Sequence, residues 1–270
     1  MSTGSSRLCP GRGLLAVLLA VASYGALPTP PAWAWAWPDA PDWTADDAAV
    51  DRHLLTPTAQ TLRQGEVSLT DWEVIGLGVS YGVTDAIEAS FTTIVPWPAP
   101  IFGGVAAVKV RVWGDAVATV SVQGVLEYAY NVEETHVLTP GVAGLVDLHT
   151  PDGTLLWSTS VGLMQPFAFG GGWAGRNTDR PLWALASGPV VRVHPNIRLL
   201  AGVMALGGFG TTHVASDAHG EGLTAEAVAT YGVRFSGRTV GLDLGMVRYL
   251  GDQGGYWILG FPIGSITVRF

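Results

Sequence analysis

The sequence predicts an all-β protein, an antiparallel up-and-down transmembrane β-barrel of about 12 strands (10–12). Three observations carry this expectation. Apolar and polar residues alternate with a period of two along most of the chain after residue 52, which gives strands with one apolar and one polar face. Tight turns and longer connections succeed one another in strict alternation. Mean hydropathy is +0.33 with only 13% charged residues, too apolar for a soluble secreted domain, where about 25% is usual. Yet after residue 36 no run of roughly 18 apolar residues exists to form a membrane-spanning helix.

Taken in order, residues 1–36 read as a secretory signal. Arg7 and Arg12 precede an apolar stretch over residues 14–27, Pro28, Pro30 and Pro31 end any helix, and Ala34 or Ala36 offers the cleavage site. The single cysteine, Cys9, lies ahead of the apolar stretch, so the mature chain has no thiol and no disulfide framework. Residues 37–51, rich in Pro, Asp and Ala, read as a flexible periplasmic leader. The alternative is a short helix over 44–50 capped by Thr44, which would plug the barrel mouth.

From Arg52 onward the chain forms a single barrel domain, residues 52–270. Tight turns fall at residues 83–86, 113–116, 150–153, 194–196 and 236–238, and longer connections at 96–104, 131–136, 166–180, 207–222 and 251–255. Strands are expected over 67–83, 86–95, 105–113, 117–130, 137–149, 154–165, 182–193, 197–206, 223–235, 239–250 and 256–270. Parity then asks for one earlier strand, which residues 52–60 supply despite Pro57, giving an even number with both termini periplasmic. On 67–83 the polar residues Asp71 and Glu73 share parity with Ile75, Leu77, Val79 and Tyr81, so either a bulge near Val74 flips the face or the outer half stands clear of lipid.

The faces of these strands place Glu88, Lys109, Arg111, Glu127, Asp147, Arg192, Glu226, Arg234 and Asp243 in the lumen, since a charge facing lipid is costly. Many other inward positions are small, among them Gly78, Ala186, Gly202, Gly241 and Gly245, which leaves space. Aromatics collect near strand ends (Trp72, Tyr81, Trp97, Trp113, Tyr128, Tyr130, Trp183, Tyr249, Trp257), as interfacial girdles do. The net charge of −8, without a basic patch, argues against a nucleic-acid partner. Outer-membrane lipid is the expected surrounding.

In the last fifteen residues Ile266, Val268 and Phe270 alternate with Ser265, Thr267 and Arg269. With Tyr256, this resembles the C-terminal strand by which bacterial outer-membrane barrels are recognised by their insertion machinery. The stretch Pro57-Thr58-Ala59, Leu62, Gly65-Glu66, followed by Tyr81-Gly82-Val83-Thr84-Asp85, resembles the opening of a group of uncharacterised bacterial outer-membrane barrel proteins, and the ending over residues 259–270 resembles theirs. The resemblance implies fold and an outer-membrane location, and brings no catalytic motif.

Few constellations suggest chemistry. His213, Asp217, His219 and Glu221 are metal-ligand types in one loop, but their spacing matches no standard site. Residues 170–175 are glycine-rich but lack the Lys-Ser/Thr ending of a phosphate cradle. His136, His149 and His194 lie near strand ends without a nucleophile signature, so a lipid-modifying enzyme is a minor alternative. The chain is therefore expected to have no catalytic, cofactor or metal site. Its expected role is a narrow passive channel for small solutes or a surface scaffold, and the rival is a secreted soluble β-sandwich that binds a ligand.

Overall fold

The computed structural model describes residues 46–72, 76–94, 101–131, 136–169, 181–208, 225–250 and 260–270. The signal, Tyr256, Trp97, Trp257, the glycine-rich stretch and the loop with His213 and His219 lie outside the described residues. The strands are β1 (Val67–Trp72), β2 (Gly76–Thr84), β3 (Ile87–Ile94), β4 (Ile101–Gly114), β5 (Ala118–Asn131), β6 (His136–His149), β7 (Leu155–Met164), β8 (Phe167–Phe169), β9 (Leu182–His194), β10 (Ile197–Gly208), β11 (Ala225–Ser236), β12 (Val240–Tyr249) and β13 (Phe261–Arg269).

Every pairing is antiparallel, and the sheet closes on itself. β1 joins β13 with Ser68 opposite Arg269, and the short β8 continues the line of β7 along β6, so twelve staves surround the lumen. The tight turns stand at one end, with the start of β1 and the end of β13; the longer connections stand at the other.

Alternation explains which side is which. Leu77 and Val161 are 59% and 57% exposed on the outer wall, whereas Ser121 and Asp147 on the inner wall are fully buried. A soluble protein does the reverse, and so continuous an apolar exterior belongs in lipid. Polar groups on that exterior satisfy one another: Trp157 Nε1 donates to Ser187 Oγ at 3.0 Å, and Ser187 also meets Thr159 Oγ1 at 2.9 Å. The chain is a transmembrane β-barrel of the outer-membrane type. A soluble β-sandwich needs two packed sheets and a polar exterior, whereas the described residues form one closed sheet with an apolar exterior.

Three expectations are corrected. The stretch 67–83 is not one strand but the β1–β2 hairpin, with Trp72 opposite Gly76; Asp71 stands opposite Leu77 on the same outer face, at the far end of the hairpin. Residues 52–60 are not a strand, since their one ladder contact is an isolated bridge between Arg52 and Pro57. Residues 46–51 are neither a flexible leader nor a helix: Asp47 to Asp51 are buried in turns inside the barrel. The stave total still agrees, because the extra stave came from splitting 67–83. Trp72 and Tyr249 also leave the girdle, since both share the inward parity of their strands.

Candidate functional site: the occupied lumen

Residues 46–66 form a segment that enters beside the β11–β12 turn, where Ala48 N donates to Gly237 O at 3.0 Å. It crosses the lumen, turns back around Pro57 and leaves beside Gly82, where Gly65 N donates to Gly82 O at 2.8 Å. Thr58 holds the fold-back, its hydroxyl donating to Val50 O at 2.7 Å. Val50 and Leu54 pack against Leu156, Val190, Leu200 and Ile263 from the walls, which gives the barrel an apolar core of its own. This also accounts for β10, apolar on both faces: Leu199 looks out to lipid while Leu200 packs on the segment.

The small inward residues are clearances for this chain. A Cβ at Gly241 would stand 3.8 Å from Ala48 and Ala49, and one at Gly245 would stand 2.7 Å from Leu54. The space expected of a pore is space for the segment.

The buried charges fall into two groups bridged by that segment. On one side Lys109 Nζ pairs with Glu88 Oε1 at 3.1 Å and donates to the Gln60 and Asp51 carbonyls at 2.6 and 3.2 Å. Leu62 N donates to Glu88 Oε2 at 3.0 Å. Asp147 accepts from Ala59 N at 3.0 Å, from Gln60 Nε2 at 3.3 Å and from Ser158 Oγ at 2.7 Å. Ser121 Oγ donates to Ala59 O at 2.6 Å.

On the other side Arg234 and Asp243, cross-strand partners, meet at 2.7 Å. Arg234 also reaches Asp47 at 3.2 Å and donates to Ala49 O at 2.8 Å. Arg52 pairs with Asp243 at 2.9 Å and donates to Ser265 Oγ and Thr267 Oγ1 at 2.9 and 2.7 Å. Its guanidinium lies 5.4 Å from the centre of the Trp72 ring. Arg198 pairs with Asp47 at 3.4 Å and contacts Ser236 Oγ. Taking charges out of water is costly, so each is multiply bonded.

Of the nine lumen charges expected from the sequence, Glu88, Lys109, Asp147, Arg234 and Asp243 are buried in these two groups. Arg111 and Arg192 are half-buried near the turns, donating to the carbonyls of Asp85 and Asp152. Glu127 and Glu226 hold inward positions past the segment, toward the long-connection end. Lys109 pairs with Glu88, directly opposite on the next strand. Asp47, Arg52, His53, Gln60 and Arg198 were not singled out. The signal was present in Arg52 and His53, polar residues too closely set among Leu54, Leu55 and Pro57 to alternate.

His136 belongs to the outer wall: its ring stacks on Phe169 at 5.3 Å and its Nδ1 meets Tyr128 Oη at 2.7 Å. His149 is buried and His194 exposed, accepting from Asn196 N. Among the described residues no cluster of three metal-ligand types occurs.

No family model and no curated protein matches the chain. Among solved structures it is similar to the NanC porin, at 10% identity and a TM-score of 0.47, covering 76% of this chain and 97% of that one. It is similar to the KdgM porin at 10% identity and a TM-score of 0.41, covering 76% and 96%. A loop-deletion form of OmpT, an outer membrane protein of Vibrio cholerae, matches at 9% identity and a TM-score of 0.41 over 72% of this chain; the match spans 62% of that protein's length.

Proposed function

We propose that this protein is a non-enzymatic outer-membrane barrel whose lumen is closed at the tight-turn end by its own N-terminal segment, so that it stands as a sealed scaffold rather than an open passive channel. The observation that carries the reading is the seating of residues 46–62 between Lys109, Asp147, Arg234 and Asp243, which uses the lumen charges as fasteners instead of leaving them to line a water path. Both termini then face the periplasm, and Ile266, Val268 and Phe270 serve the insertion machinery. The outward alternation on β13, with Phe270 exposed at the seam, supports that role. Small solutes pass only if the segment leaves.

Planar-bilayer recording tests this. Wild-type protein is expected to be silent. Replacing Arg52 and Thr58 together by alanine removes bonds that hold the segment and is expected to give intermittent current. Steady wild-type conductance, with an ion preference altered in Lys109→Gln, would overturn the sealed reading.

A further inference from the structure

The wall and the segment inside it are held by different kinds of bond. The staves are joined by ladder hydrogen bonds, and the seam closes without the segment, β1 on β13. Residues 49–64 make no backbone–backbone hydrogen bond to a strand among the described residues. Side chains seat them instead, and many of those are charged: Lys109, Glu88, Asp147, Arg234 and Asp243. Both ends of the segment stand at the tight-turn end, Ala48 at Gly237 and Gly65 at Gly82. The segment is therefore a loop dipped into the lumen, and it can withdraw through that end without threading past a strand.

His53, the one histidine of the segment, is the group placed to release it. It is buried, and every element around it brings a polar or charged group. Arg52 precedes it, β9 offers the Pro189 carbonyl at 3.2 Å, β11 brings Arg234 and Thr230, and β12 brings Asp243. β7 brings Ser160 and Ser158, the latter bonded to Asp147 of β6. On β10, a Cβ at Gly202 would stand 3.4 Å from the ring. The ion pairs on this side join Arg52, Arg198 and Arg234 to Asp47 and Asp243, so cations already outnumber anions. A proton on His53 adds one more positive charge where little water screens it.

The ring is also within reach of a proton. A cavity of about 10 Å³, room for one water, adjoins it and is lined by Ser158, Ser160, Gly202, Met204 and Thr230. With its Nε2–H donated to Pro189, the nitrogen left to accept is Nδ1.

We propose that acid unseats the segment: protonation of His53 frees residues 46–62 from the walls and opens the lumen, so that the barrel is a proton-gated pore. The proposal rests on the sealed reading and names what operates the seal. A proton favours the released loop. Seated, the ring is held down at about 4, by burial first and then by Arg234 and Arg52; in water it returns to 6.5. Between pH 7 and pH 5 the ratio of released to seated segment should rise about twentyfold.

The test uses the full mature barrel in phosphatidylcholine bilayers, with current recorded at pH 7 and pH 5. Hydrogen exchange on the same protein, corrected for the intrinsic effect of pH, follows the segment. Wild type is expected to open intermittently at pH 5, with about twenty times the open time seen at pH 7. Exchange should quicken at residues 46–62 and stay unchanged in β4–β6. His53→Gln keeps a donor for Pro189 but takes no proton, and its open time should change less than about threefold. His53→Met serves if that variant does not give a heat-modifiable barrel. Equal opening at pH 5 with and without His53 would overturn the proposal. A wild type closed at both pH values sinks the gate alone and leaves the sealed barrel, whereas steady current at pH 7 sinks the sealed lumen.

Discussion

Arg234 and Asp243 face each other across β11 and β12 at 2.7 Å, and the same carboxylate holds Arg52 of the inserted segment at 2.9 Å. One acidic side chain thus ties a wall strand to the chain inside it. Removing its charge leaves two buried guanidinium groups short of a partner. Asp243→Asn is expected to destabilise the barrel by about 3–5 kcal/mol, the usual cost of breaking a buried pair. Urea unfolding in lipid vesicles, followed by the gel shift between heated and unheated protein, would read it; a change below about 1 kcal/mol, the range of an exposed pair, would show that the site is wet.

The Lys109–Glu88 pair is the second fastener, and both partners are buried. Lys109→Met alone strands the carboxylate and should also cost about 3–5 kcal/mol, whereas Lys109→Met with Glu88→Leu should recover most of it. The double-mutant cycle decides. Additive single costs would mean that the two do not act as a pair.

The glycines that clear space for the segment make a paired prediction. A methyl at Gly241 meets only ordinary contacts at 3.8 Å, so Gly241→Ala should be nearly silent. A Cβ at Gly245 meets Leu54 at 2.7 Å and the Tyr231 carbonyl at 2.9 Å. Gly245→Val should cost about 1–3 kcal/mol as overpacking and should speed hydrogen exchange at residues 46–62 more than in the strands. Equal exchange in both variants would mean that the segment does not rest on this wall.

His53 gives the segment a pH dependence. Its Nε2 donates to Pro189 O at 3.2 Å, and Arg234, Arg52 and Asp243 are its charged neighbours. Burial first, then the two arginines, hold it down at about 4 against the pull of the Pro189 carbonyl and Asp243. The free value is 6.5. A lowered histidine favours the neutral ring, so its contribution is whole above 6.5, falls as the pH drops below that, and is gone near 4. Between pH 7 and 5 stability should fall by about 2 kcal/mol, and His53→Gln should remove that slope. An unchanged slope in the variant would assign it to other groups.

Much of the wall could be read from alternation, because a strand between lipid and lumen must switch polarity at every residue. Val108 and Val110 against Lys109 is such a case. The inserted segment escaped because it contacts walls on all sides and so has no period: Ala48, Ala49, Leu54 and Leu62 are buried, and so are Asp47, Arg52 and Gln60 between them. Its partners are distant in sequence, as Arg52 and Thr267 are, and a single chain carries no mark of which lumen charges meet across such a span. β1 and β2 escaped because their link is too short to announce a turn.

Arg52, which precedes the first stave, is fastened to Ser265, Thr267 and Asp243 on the last two. The earliest described part of the chain is therefore a mandrel on which the final staves are fitted, and its seat is incomplete until synthesis is complete. Contacts that span so much sequence form late in folding. A chain cut short before β13 would hold the mandrel loosely, with a guanidinium lacking its hydroxyl partners and an unzipped seam at β1, so fidelity of assembly is built into the same residues that close the lumen.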